Sequence, residues 1–180
     1  MSNKNLLIFV YMLALVFSIG ACSNNDSSPN RLNTNLNDPQ IKTVEKYENN
    51  IDLMKNAAQQ GDVVAMSLLG DKYLKGDGVE KDIKKGIAWL TNAADKGNSL
   101  AQQSLGYTYL FESTIQNDSK AFFWFKKSAE QGDGISQLEL ANMYANGSGV
   151  VKDLKLASQW LKKANDNGLD TPSALKYLQK

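Results

Sequence analysis

The sequence predicts an all-α fold: an α/α solenoid, or superhelix, of about three helix-turn-helix repeats with terminal capping helices. Three observations carry this expectation. First, the segments "LLGDKYLKGDGVEKDIKKGIAWL", "SLGYTYLFESTIQNDSKAFFWF" and "ELANMYANGSGVVKDLKLASQWL" align with one another. Second, their landmarks keep one period. Trp89, Trp124 and Trp160 are spaced by 35 and 36 residues, and Tyr73, Tyr109 and Tyr144 by 36 and 35. Gly61, Gly97, Gly132 and Gly168 step by 36, 35 and 36, and Asp82, Asp118 and Asp153 by 36 and 35. A fixed period of this size marks a stacked-repeat architecture. Third, apolar residues within a unit recur at helical spacing.

The elements follow in chain order. Residues 1–21 read as an export signal: Lys4 is the basic start, and "LLIFVYMLALVF", Leu6 to Phe17, is an uncharged apolar run of 12 residues. That length suits a secretory signal and falls short of the ~20 residues a membrane-spanning helix needs. The run ends in Ile19-Gly20-Ala21-Cys22, which resembles the bacterial lipobox. The resemblance implies cleavage before Cys22 and acylation of its thiol and of the new amino terminus. The other readings are a plain secretory signal with an incidental cysteine, or an uncleaved anchor. Ser23, rather than Asp, follows the cysteine. By the same resemblance this favours an outer-membrane lipoprotein facing the periplasm. Residues 22–40 then form the lipidated cysteine and a tether rich in Asn, Ser, Asp and Pro. Ser23 to Gln40 would average roughly 23 Å end to end as a coil.

Residues 41–180 hold the repeats. Ile51 to Gln60 form a leading helix, with Leu53 where a tryptophan would stand. In the first unit Ala65, Leu69 and Tyr73 share one helix face, and Gly70 permits close approach of a neighbour. "GDGV", Gly76 to Val79, turns the chain, and Asp82 stands where an N-cap is needed. Gly86, Trp89, Leu90 and Ala93 then line the second helix, which Lys96-Gly97 closes. Gly86 should cost that helix ~1 kcal/mol relative to alanine. The second unit has "FESTIQND" in place of the glycine-rich turn, and the third has Leu140-Ala141 for Leu-Gly. Thr171-Pro172 starts a closing helix through Leu178.

Composition excludes much chemistry. The 180 residues contain no histidine and one cysteine, so imidazole-dependent nucleophilic sites, most zinc sites and an internal disulfide are ruled out. Past Cys22 the acidic and basic side chains balance, which argues against nucleic-acid binding. No cofactor, metal or catalytic residue is expected. The three tryptophans are expected in the core, and Asp82, Asp118 and Asp153 as helix caps.

The pattern Leu69-Gly70 with Tyr73, Gly76 to Asp82, Gly86, Trp89, and Ala93-Ala94 with Gly97 resembles the Sel-one-like repeat family, relatives of the tetratricopeptide repeats. The resemblance spans about Asn50 to Gly168 and implies a protein–protein interaction module. In the related repeats, ligands contact a concave face through first-helix positions. Carried over, these are Ser67 and Asp71, Gln103 and Tyr107, and Leu138 and Asn142, with Tyr107 the main anchor and Leu138 beside it. "AFFWF", Ala121 to Phe125, cannot bury every ring on one helix face. Phe123 is expected either exposed as a second contact or packed on the Phe111 to Asp118 loop. The resemblance implies a membrane-anchored, envelope-facing adaptor for a protein or peptide. The alternative is a periplasmic immunity lipoprotein that neutralises a secreted antibacterial effector, such as a type VI secretion lipase. A minor alternative, β-lactam or cell-wall hydrolysis, comes from cysteine-rich relatives whose repeat disulfides this chain lacks.

Overall fold

The structure is a computed structural model that describes residues 46, 47 and 50–169. The expected signal segment, Cys22, the tether and the closing helix from Thr171 lie outside the described residues. Those residues form seven helices: α1 Ile51–Gln59, α2 Val63–Lys75, α3 Ile83–Asp95, α4 Ser99–Phe111, α5 Asp118–Glu130, α6 Gly134–Asn146 and α7 Leu154–Asp166. Packing is densest within the pairs α2–α3, α4–α5 and α6–α7, and each pair then stacks on the next. The leading helix α1 packs on α2 as expected. Among the described residues no helix is long and apolar enough to cross a membrane.

Every helix opens on Asp or Asn. Asn50, Asp62, Asp82, Asn98, Asn117, Asp133 and Asp153 each accept a backbone N–H of the first turn through the side chain. Asp82 and Asp153 cap as expected, but the cap of α5 is Asn117, and Asp118 is the first helical residue. The cause is the unusual second turn, six residues long where the others have seven. The three caps nevertheless land on one anchor: the N–H groups of Asp82, Asn117 and Asp153 donate to the carbonyls of Tyr73, Tyr109 and Tyr144 at 2.8–2.9 Å. The residue after each second-helix cap is glycine, with φ +95° at Gly61, +89° at Gly97, +94° at Gly132 and +89° at Gly168. That left-handed backbone explains the periodic glycine column.

The deepest column is Leu90, Phe125 and Leu161, facing Leu69, Leu105 and Leu140, all 0–1% exposed. The tryptophan column is shallower than expected. Trp124 is buried, but Trp89 and Trp160 are only partly so. These rings sit at the edge of the buried stripe, one position before Leu90 and its equivalents. A lysine completes the cover of Trp160: the Lys163 ammonium stands 3.9 Å from its ring centroid.

A ladder of side-chain amides stitches the repeats. Gln102 of α4 donates back to the Ala94 carbonyl at the end of α3 and accepts from Gln131 at the end of α5. One repeat later, Gln137 donates to the Ala129 carbonyl and accepts from Asn167. In the first repeat Met66 holds the equivalent position and is buried in the core instead.

Candidate protein-binding face

The six first-helix positions named from the sequence lie on α2, α4 and α6. Three cross-repeat hydrogen bonds link this layer. Ser104 Oγ donates to Asp71 Oδ2 at 3.4 Å, Gln103 Nε2 to Asp133 Oδ1 at 2.9 Å, and Tyr107 Oη to Glu139 Oε1 at 3.1 Å. Asp133 also caps α6 through the same oxygen, which accepts the Ser136 N–H. The Tyr107 ring lies parallel to Phe111 at 6.0 Å and meets Phe125 edge-on at 5.0 Å. Tyr107 is thus held from three sides and presents a preset ring rather than a mobile one.

The structure sorts the expected residues. Gln103, Tyr107, Leu138 and Asn142 are half-buried on the first-helix layer. Ser67 is only 5% exposed and belongs to the core, because it lies in the turn whose neighbours Ala65, Met66 and Leu69 all point inward. Asp71 is partly buried against Ser104. Phe123 lies on α5, in the other layer, and does not join the six. It is 49% exposed, edge-on to Trp124, while Phe122 packs edge-on against Tyr144.

Three exposed residues extend the face beyond the sequence-based set: Leu100, Ile135 and Phe111, at 51%, 44% and 51% exposure. Leu100, Gln103, Tyr107 and Phe111 follow the i, i+3, i+7, i+11 line of one helix face. Ile135, Leu138 and Asn142 follow the same line on α6. Val64, Leu100 and Ile135 form an apolar column with the repeat period. The column was visible in the sequence as a repeated apolar position; the structure adds that it is left at the surface.

Burial raises the Asp71 carboxyl above the ordinary carboxylate range, against the opposing charge of Lys75 and the hydrogen bond from Ser104. A carboxyl whose folded pKa lies above its unfolded value weakens folding when ionised. Its penalty is fully present above the folded pKa and disappears as pH falls toward the unfolded one. Asp71→Asn is therefore expected to raise the melting temperature near pH 7, with the gain shrinking as pH drops to about 4. Thermal melts of both proteins across that range check it, and a gain constant with pH would contradict it.

Stacked two-helix units with a preset aromatic on their first-helix layer define an α/α repeat protein of the interaction-scaffold class. The Sel1 repeat model matches residues 63–98, 99–133 and 134–169, and the chain belongs to the Sel1 repeat family. It is similar to the chitin synthase regulator SKT5 of Saccharomyces cerevisiae, 33% identical over 127 residues, which are 68% of this chain and 18% of that protein. Human protein sel-1 homolog 2 is 33% identical over 133 residues, 73% of this chain and 19% of that one. The chain thus spans under a fifth of the length of these curated relatives.

Among solved structures, a Sel1 repeat protein from Oxalobacter formigenes aligns with a TM-score of 0.61 and 36% identity, covering 70% of this chain and 94% of that one. The protein c5321, described as a protective antigen of uropathogenic Escherichia coli strains, aligns at 0.64 and 34% identity, covering 66% of this chain and 26% of that one. Helicobacter pylori cysteine rich protein B, at 22% identity and a TM-score of 0.53, shares the fold; the alignment covers 67% of this chain and 92% of that one.

Proposed function

We propose that the protein is an envelope adaptor, held to a membrane through acylated Cys22, that binds a protein or peptide on the layer formed by α2, α4 and α6. In this reading residues 1–21 are removed, residues 22–40 tether the repeats, and the outer membrane is the site of attachment. The observation that carries the binding face is the set of apolar residues left exposed beside a fixed tyrosine: Leu100, Ile135 and Phe111 around Tyr107. Aromatic anchors such as tyrosine contribute much of the binding energy in protein interfaces, and near-neutral apolar neighbours exclude water around them. The layer is also nearly free of cations, with Lys72 and Lys75 on α2 and none on α4 or α6.

The test is affinity capture from cross-linked intact cells with the full chain carrying a C-terminal tag. A Leu100→Glu, Ile135→Glu variant runs beside it; both positions are exposed, so the fold is kept. A dominant partner captured by the parent should fall at least about tenfold in the variant, the equivalent of ~1.4 kcal/mol. An envelope assembly component as that partner means a scaffold, and a secreted toxin means an immunity protein. An identical captured set from both proteins removes this face from consideration.

A further inference from the structure

The second layer, α3, α5 and α7, is chemically unlike the first. Its helices carry eight exposed lysines against four acidic residues, with Asp82 and Asp153 as caps beside them; Lys85, Lys126 and Lys162 pair with Asp82, Glu130 and Asp166 at 3.2–3.9 Å, and the layer keeps an excess of lysine. The four acids, Asp95, Asp118, Glu130 and Asp166, are each the first or last residue of a helix. Between the helix ends, lysine is therefore the only charged side chain on this layer. Phe123 lies in the middle helix of the three, 49% exposed. Ala88 and Gln159 hold the equivalent exposed positions on α3 and α7. The Lys127 ammonium stands 4.9 Å from the Phe123 ring centroid and 5.4 Å from that of Trp124, and Lys163 covers Trp160.

We propose that this second-helix layer docks on an anionic lipid surface. Lysines supply attraction to phosphate headgroups, and an exposed aromatic flanked by lysine stems suits the zone between headgroup and acyl chain. Charge complementarity selects this occupant over a neutral surface. The position of the chain's expected lipid site adds to it. Cys22 precedes Asn50, the cap of α1, by 28 residues. Tyr47 is already buried in the core, so the tether ends by Lys46, 24 residues after Cys22; a coil of that many residues would average roughly 27 Å, so even a weak contact would be made often. Docking this way leaves the Tyr107 layer turned to solvent. The proposal rests on the reading of Cys22 as a lipid anchor.

The test uses the full chain purified from cells and reconstituted in vesicles. Cys22 is the only native cysteine, and acylation blocks its thiol, so one introduced cysteine takes a polarity-sensitive dye at a single place. Probes go at Ala88→Cys or Gln159→Cys on the lysine layer and at Ile135→Cys on the other. In phosphatidylethanolamine–phosphatidylglycerol vesicles the first two should shift to blue emission and the third should not. The shift should vanish in phosphatidylcholine vesicles, at about 0.5 M salt, and in a Lys126→Glu, Lys127→Glu background. Equal emission in both lipids, or an equal shift at Ile135→Cys, overturns docking. So does a shift seen in native membranes but absent from protein-free vesicles, which would assign the layer to a protein partner. Dye uptake by the parent protein at Cys22 instead refutes the anchor alone. Flotation of that unanchored chain with phosphatidylglycerol vesicles, lost with the paired lysine reversals, still supports docking, and its absence overturns it.

Discussion

Phe125→Ala is expected to destabilise the protein by about 3–5 kcal/mol. The side chain is 0% exposed, and it fills the column that leucine fills in the other two repeats. Its ring is larger than those leucines, and the second repeat makes room for it with Gly106. A Cβ built on Gly106 would lie 2.8–2.9 Å from three ring carbons of Phe125. Phe125 also meets Tyr107 edge-on at 5.0 Å, so truncation removes the support of the proposed anchor together with core volume. Urea unfolding followed by tryptophan emission measures the loss. Phe125→Leu, which restores the residue of the neighbouring repeats, should recover much of it. A cost near 1 kcal/mol for the alanine variant would mean that the cavity collapses and that Tyr107 is held mainly by Phe111 and Glu139.

Gly70→Ala should cost about 1–3 kcal/mol despite the better helix propensity of alanine. The added Cβ would stand 2.6 Å from Leu90 Cγ and 3.0 Å from the Gly86 carbonyl oxygen. The partner glycine behaves likewise: a Cβ on Gly86 would meet Leu74 side-chain carbons at 2.7 Å and the Gly70 carbonyl at 3.0 Å. Taken alone, Gly86 looked like a loss of ~1 kcal/mol to α3. In the fold it is half of a backbone crossing that lets α2 and α3 approach closely, and Gly86→Ala is expected to destabilise. Thermal melts of the two single variants and the double decide the point. A stabilised Gly86→Ala protein would show that propensity outweighs contact.

The architecture was legible because a repeat states its pattern several times. Each column of glycine, tyrosine or leucine is an independent vote for one helix boundary or one buried position. Where the columns misled, the error has a local cause. Asp118 matched Asp82 and Asp153 by residue type, yet counting seven residues back from each tryptophan gives Asp82, Asn117 and Asp153, the true caps. Asparagine caps a helix as well as aspartate, so identity was the weaker guide. The tryptophans were conspicuous, but a large ring at the edge of a buried stripe keeps part of its surface in solvent. The family resemblance pointed to Tyr107 and Leu138, and both lie half-buried on the first-helix layer. Spacing could not show that Ser67 turns inward, because one helical step separates an inner from an outer position. Nor did it reveal Gln103 and Asp133 as partners 30 residues apart.

The amide ladder makes the repeat a unit of inheritance. Both junctions between repeats use one grammar: a first-helix glutamine on the preceding second-helix carbonyl, then an amide from its own repeat's closing turn. Excising residues 98–132 would join Gly97 to Asp133, placing Gln137 over the Ala94 carbonyl where Gln102 had been. Asn167 would keep its hold on Gln137, and no buried amide would be orphaned. Such a chain can lengthen or shorten by recombination one module at a time without redesigning a junction. The sequences that diverge freely are then those facing outward, where a new partner can be acquired while the spine is copied.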